Sequence, residues 1–135
     1  MLPYEELFRR LQDVAELKSL IGKTENLHLD CKIWPQKDED AQRMLAKALC
    51  GFANAEGGVL IIGFEAKSRQ SKYDPDVIHS AVPVADAISV KSRIESLVGE
   101  LVEPRVQGVL VAAVSDNPGS KAGFVLTSVP ATEGL

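Results

Sequence analysis

Residues 50–65 have the sequence CGFANAEGGVLIIGFE, and this stretch decides the fold. A helical segment leads to Gly57 and Gly58, and an apolar run over residues 59–64 then precedes Glu65. A phosphate-binding loop has the opposite order, strand then glycines then helix, and its closing Gly-Lys-Ser/Thr occurs nowhere in the chain. We therefore predict that the glycine pair ends a helix and begins a central strand buried on both faces, and we recognise no ATP site.

The composition is typical of one globular domain. The chain has 135 residues, 45% hydrophobic and 25% charged, with a net charge of -4 at pH 7. The acidic balance argues against a strongly basic nucleic-acid binder, although it leaves room for a local basic groove. No signal peptide is visible and no apolar run approaches the roughly 18 residues of a membrane span, so we expect a cytoplasmic protein without membrane contact.

The two cysteines, Cys31 and Cys50, are widely spaced, and we expect both to be reduced. His28 and Cys31 fall on opposite faces of a predicted strand, which argues against a Cys–His nucleophile pair. Cys31 is therefore predicted to be a core residue.

On both sides of residues 50–65, the spacing of apolar residues and the positions of turn residues complete a set of three predicted helices and four predicted strands. Apolar residues at helical spacing cover residues 2–20, and Asp38 is predicted to cap the helix that leads to the glycine pair. Alternation over residues 24–34 predicts a half-buried strand. Residues 66–83 contain proline breakers and are expected to be irregular. A third helix is predicted over residues 84–102. Two strands, over residues 106–114 and 122–129, are predicted to form a hairpin.

The predicted order, α-β-α-β-α-β-β, describes an α/β (α+β) fold: one domain with a mixed β-sheet flanked by helices. The chain stops soon after its last predicted strand. We therefore expect residues 1–135 to be a single domain taken from a longer protein that carries further domains.

Carboxylates are predicted at the ends of strands. Glu25 precedes the first strand, Asp30 and Lys32 share that strand's open face because they are two residues apart, and Glu65 ends the central strand. Converging carboxylates can hold Mg²⁺ or Mn²⁺ and activate water for phosphodiester cleavage, and a neighbouring lysine can neutralise a phosphate. The alternative, which the residues alone favour, is a solvated strand face with one Asp–Lys pair.

Basic residues and one tryptophan form a second candidate site. Lys67, Arg69 and Lys72 form a cluster that no acid interrupts, and Trp34 lies on the open face of the first strand. Such cations can bind phosphates, and an exposed aromatic ring can stack on a base. An ordinary solvated loop is the alternative, and the cluster by itself favours it.

Two motifs together resemble the Schlafen-type AlbA-like domain family. Glu25, Asp30 and Lys32 fit its first motif, an acid followed five residues later by acid-x-Lys. Its second motif is a helix ending in Phe-Ala-Asn-x-x-Gly-Gly before a hydrophobic strand with Ile-Gly, and residues 52–63 match it. The resemblance covers roughly residues 22–130 and implies nucleic-acid binding, as in DNA-binding modules of transcriptional-regulator-like proteins.

The resemblance also implies a catalytic alternative. Schlafen proteins cut structured RNA such as tRNA with three carboxylates in this pattern, which would correspond to Glu25, Asp30 and Glu65. The family usually has Glu where this chain has Asp30.

Three functions therefore remain open. The first is DNA or RNA binding, through Lys32, Trp34, Lys67, Arg69 and Lys72. The second is a metal-dependent endoribonuclease acting on structured RNA, with Mg²⁺ or Mn²⁺ bound by the three carboxylates. The third is a nucleotide-binding or oligomerisation module, although the missing phosphate loop argues against ATP. A homodimer would enlarge the surface that a small domain offers to a duplex.

Overall fold

The computed structural model describes residues 3–26, 28–67, 76–101 and 107–131. Its elements, in chain order, are α1 (Pro3–Arg10), α2 (Val14–Lys18), β1 (Leu29–Lys32), α3 (Asp38–Asn54), β2 (Gly58–Ile62), β3 (Phe64–Lys67), β4 (Val77–Ala81), α4 (Ala87–Val98), β5 (Leu110–Ser115) and β6 (Gly123–Val129).

Four of the strands form the main sheet, in the order β1-β2-β6-β5. β1 and β2 are parallel, whereas β2–β6 and β6–β5 are antiparallel, so the sheet is mixed. β3 and β4 form a separate two-stranded antiparallel sheet. The predicted α/β architecture and the final β5–β6 hairpin are confirmed.

The hydrophobic core lies on both faces of the main sheet. Val59 and Ile61 of β2 belong to the cluster that includes α1, α2 and the small sheet. Leu60 and Ile62 belong to the cluster under α3 and α4. Burial on both faces explains why the central strand is apolar at successive positions instead of alternating.

The glycine pair forms the corner predicted from the sequence. α3 ends at Asn54, and the amide of Gly57 donates to the Phe52 carbonyl at 3.0 Å. Gly57 has a φ of 84°, and a Cβ there would lie 2.9 Å from the Val129 carbonyl oxygen. A Cβ on Gly58 would overlap the Phe52 ring. Both glycines are thus required by crowding at the corner, and Gly57 also by its conformation.

The apolar run is not one strand, as predicted, but two. Gly63 has a φ of 117°, which breaks the run between β2 and β3. Phe64 then stacks on Phe124 of the main sheet, with 4.8 Å between ring centroids. Glu65 therefore lies on β3 in the small sheet, and the prediction that it ends the central strand is wrong.

Residues 66–83 are not wholly irregular, because they contain the end of β3 and all of β4. The two strands pair antiparallel, with a register shift between Glu65 and Ala66. The prediction missed this sheet, whose connection lies in residues 68–75, outside the described residues.

The predicted helix over residues 2–20 is two helices. The Asp13 side chain accepts from the amides of Ala15 and Glu16 and so caps a new helix, α2. Asp38 is the first residue of α3 and not its cap. Its carboxylate instead accepts two hydrogen bonds from Arg93 of α4, at 2.8 and 2.6 Å.

Candidate nucleic-acid interface

The segment before β1 is held by the small sheet. The Gly22 amide donates to the Ile78 carbonyl at 2.7 Å, and the Ile78 amide donates to the Lys23 carbonyl at 2.8 Å. The Glu25 amide then donates to the Asp76 carbonyl at 2.8 Å. These bonds extend the small sheet by a short segment and place Glu25 beside the free edge of β1.

The side chain of Glu25 forms a hydrogen bond with the backbone on that edge. Its Oε2 accepts a hydrogen bond of 2.5 Å from the Cys31 amide. The carbonyls of His28 and Lys32 bond toward β2, so the intervening Cys31 amide faces away from the main sheet. Glu25 satisfies an edge amide that would otherwise need another partner.

Asp30 lies against this carboxyl group. Burial raises the pKa of Glu25 to about 7. A hydrogen bond with Asp30 and the negative charge of Asp30 raise it further, whereas the hydrogen bond from the Cys31 amide lowers it. Glu25 therefore holds or releases a proton near neutral pH. The predicted burial of Cys31 is confirmed, and both cysteines are free.

Lys32 completes the group. Its Nζ lies 3.0 Å from Asp30 Oδ1, as expected for two residues on one strand face. Burial lowers the pKa of Lys32, but its hydrogen bond to Asp30 raises it. The negative charges of Asp30, Glu25 and Asp76 raise it further, so the net pKa of Lys32 lies above its usual value. Asp76 was missed from the sequence, because its position beside Lys32 depends on the pairing of β4 with residues 22–25.

Glu65, the third predicted carboxylate, is paired elsewhere. Its Oε1 lies 3.1 Å from Lys67 Nζ on β3. Within the described ranges, no three His, Cys, Asp or Glu side chains are grouped so that they could hold a metal ion. The structure brings Glu25 and Asp30 together without Glu65, and the three-carboxylate metal site stays a prediction.

Of the other predicted nucleic-acid contacts, Lys67 and Trp34 lie within the described residues. Lys67 is exposed, and Trp34 is half-buried against the cluster under α4, where it borders a groove with Ile33 and Val82. Arg69 and Lys72 lie outside the described residues.

A cleft of about 350 Å³ opens between the segment carrying β1 and one flank of α3. On α3 the lining residues recur at helical spacing beside the buried Leu45 and Leu49, and the sequence patterns did not mark Met44, Lys47 or Gly51 as site residues. The lining residues used below are Asp30, Lys32, Met44, Lys47, Gly51 and Phe52.

Comparison with protein families decides the relationship. The family model described as Schlafen, AlbA_2 matches residues 25–120, more than half of the chain. The chain belongs to this family. The match begins at Glu25 and covers both Schlafen AlbA_2 motifs, so the resemblance drawn from the sequence is confirmed. No curated protein matches the chain.

This Schlafen AlbA_2 domain therefore belongs to a nucleic-acid-associated family. Across the ranges that the structure describes, no helix has the combination of length and apolar character that crossing a bilayer requires. The charged and concave features of this site are the Lys32 ammonium, the Glu25–Asp30 pair and the cleft along α3.

Proposed function

We propose that this domain binds nucleic acid, DNA or RNA, with Lys32 at the centre of the contact surface. The observation that carries the proposal is the Lys32 side chain, which is 43% exposed at the end of β1 and kept charged by Asp30. A lysine held in place by a neighbouring carboxylate can bind a phosphate oxygen with little further ordering.

The surrounding charges are compatible with a polyanion. Protonated Glu25 carries no negative charge, so below about pH 7 the acids around Lys32 repel a phosphate less strongly. Lys67 adds an exposed cation, and the half-buried Trp34 is the aromatic side chain proposed for stacking.

The experiment is fluorescence anisotropy with labelled single-stranded and duplex DNA and RNA at increasing salt. We expect the binding constant to fall linearly with salt on a logarithmic plot. Lys32→Gln should weaken binding about three- to tenfold and reduce the salt slope by about one.

Lys18→Gln is the matched control. Lys18 is also ion-paired, with Asp116 at 2.6 Å, but it lies on α2, in the layer on the other side of the main sheet. We expect it to bind like the unaltered protein. No detectable binding at low salt would contradict the proposal.

A second candidate function, an endoribonuclease, is favoured by the Glu25–Asp30 contact. A carboxyl group with a pKa of about 7 beside a second carboxylate can accept and return a proton at neutral pH. The test is incubation of tRNA with the protein, with and without Mn²⁺, beside Glu25→Gln and Asp30→Asn. Loss of cleavage in both variants would support an enzyme, whereas equal cleavage by all three proteins would indicate a contaminating nuclease.

A further inference from the structure

The cleft between β1 and α3 has the size of a small-ligand site. Its volume of about 350 Å³ falls in the range of pockets that hold compact ligands. Two sides of different chemistry meet there, because β1 contributes Asp30 and Lys32 while α3 contributes a largely apolar wall. A ligand that fits should therefore combine a charged group with a flat apolar one.

Gly51 keeps the cleft open. It lies inside α3 with no positive φ, and a Cβ built on it meets nothing within 4 Å. Glycine weakens a helix interior, and at Gly51 neither backbone conformation nor crowding requires it. A longer side chain at this position would project into the cleft.

The cations of the cleft suit a phosphate. Lys47 is exposed and has no ion-pair partner among the described residues, whereas Lys32 shares its charge with Asp30. Lys47 is thus the cation with more charge available to an incoming anion.

The wall of the cleft suits a nucleobase. Met44 is half-buried, and Phe52 of the same helix is 7% exposed. Thioether and aromatic surfaces accept the π-face of any base, so contact here is tolerant of sequence. Asp30 at the rim can accept hydrogen bonds from a sugar hydroxyl or a base amino group.

We propose that this cleft binds one unpaired nucleotide, with the base against Met44 and Phe52 and the phosphate at Lys47 and Lys32. The ligand is a nucleoside monophosphate unit, either free or within a single strand, and the inference rests on the proposed function. A duplex keeps its bases stacked and could not fill the cleft in this way.

The test uses Gly51→Leu, which fills the cleft, and Cys50→Leu, an adjacent exposed position outside it, as the matched control. Both should unfold at the same temperature as the unaltered protein or higher, because leucine favours a helix. Titration calorimetry with 5′-AMP, and anisotropy with a labelled oligo(dT) strand and a labelled duplex, then measure binding. We expect Gly51→Leu to weaken the 5′-AMP or the oligo(dT) complex about tenfold, with duplex binding unchanged.

Lys47→Gln should weaken the same complexes, and Cys50→Leu should not. A loss with 5′-AMP alone identifies the free nucleotide as the ligand, and a loss with oligo(dT) identifies the strand. If inorganic phosphate binds as tightly as 5′-AMP, the base contact is absent and the inference is overturned.

Failure of the inference is distinguishable from failure of the proposed function. If the protein binds oligo(dT) and duplex with salt dependence, but Gly51→Leu and Cys50→Leu bind alike, the cleft is not the nucleotide site and nucleic-acid binding still stands. If the unaltered protein binds none of the probes, both proposals are overturned.

Discussion

Glu25 is the residue on which the acid group depends. Its backbone amide bonds Asp76 of the small-sheet side, and its carboxyl group bonds the Cys31 amide on the edge of the main sheet. The same position places it against Asp30, so its negative charge is opposed by burial and by a second acid. One residue therefore joins the two sheets, through its backbone on one side and its carboxyl group on the other, and that carboxyl group titrates near neutral pH.

This titration predicts a pH dependence of stability. The pKa of Glu25 rises from 4.5 to about 7 on folding, so between these values the folded protein holds a proton that the unfolded chain has lost. The free energy of unfolding should therefore fall as pH rises through this window, on the order of 1 kcal/mol because solvent reaches the pair. Urea unfolding in buffers with a metal chelator would measure it.

Glu25→Gln should remove most of this slope, since the amide does not titrate. Glu95→Gln, a change on the exposed side of α4, is the control and should keep the slope. A slope of equal size in Glu25→Gln would show that another group is responsible.

The carboxylate–lysine pair could be predicted from the sequence, but its neighbours could not. Asp30 and Lys32 share a face because strands have a period of two, which is a local property. Glu25 reaches Asp30 only because residues 22–25 pair with β4, far along the chain. Lys47 was overlooked because the pattern of apolar residues marks the buried stripe of a helix and not the flank that lines a cleft.

At the scale of elements, the α3–β2 corner shows how glycine sets a connection. Gly57 and Gly22 both have a positive φ, of 84° and 92°. A Cβ on Gly57 would crowd the Tyr4 ring and the Val129 carbonyl, whereas a Cβ on Gly22 meets nothing within 4 Å. The two positions separate the effect of backbone strain from the effect of crowding.

We expect Gly57→Ala to lower the free energy of unfolding by about 2–4 kcal/mol, from strain and crowding together. Gly22→Ala should cost only about 1 kcal/mol, because it carries the strain alone. Chemical denaturation of both variants gives the comparison. Equal losses would mean that the corner has room for a side chain and that crowding does not fix it.

Strand existence was predictable where apolar periodicity is strong, and strand breaks were not. Nothing in the run over residues 59–64 marks Gly63 as the end of a strand, because the φ of a glycine is invisible in its sequence. The sequence of β4, VIHSA, has one buried side chain, Ile78, too weak a signal for a strand. Its partner β3 could not be separated from β2 by the pattern of apolar residues, because what distinguishes it is its pairing with β4.

At the scale of the whole molecule, two sheets are joined through a stacked ring pair. Phe64 begins β3, Phe124 lies on β6, and both are fully buried. The small sheet in turn holds residues 22–25 and thus the position of Glu25. A two-stranded sheet is marginal by itself, so its order should depend on this contact with the main sheet.

Phe64→Leu should therefore affect the small sheet more than the rest of the molecule. We expect a loss of about 1–2 kcal/mol in global stability, from the lost ring contact and the space it leaves. Amide hydrogen exchange should show the largest fall in protection in β3 and β4. Protection of the amides in β2 and β6 should fall only by the amount that the loss of global stability sets. Phe52→Leu, a buried phenylalanine on the α3 side of the main sheet, is the matched control and should lower protection in all of these strands alike. The same pattern in both variants would show that the small sheet opens only with the whole molecule and that the ring stack does not hold it independently.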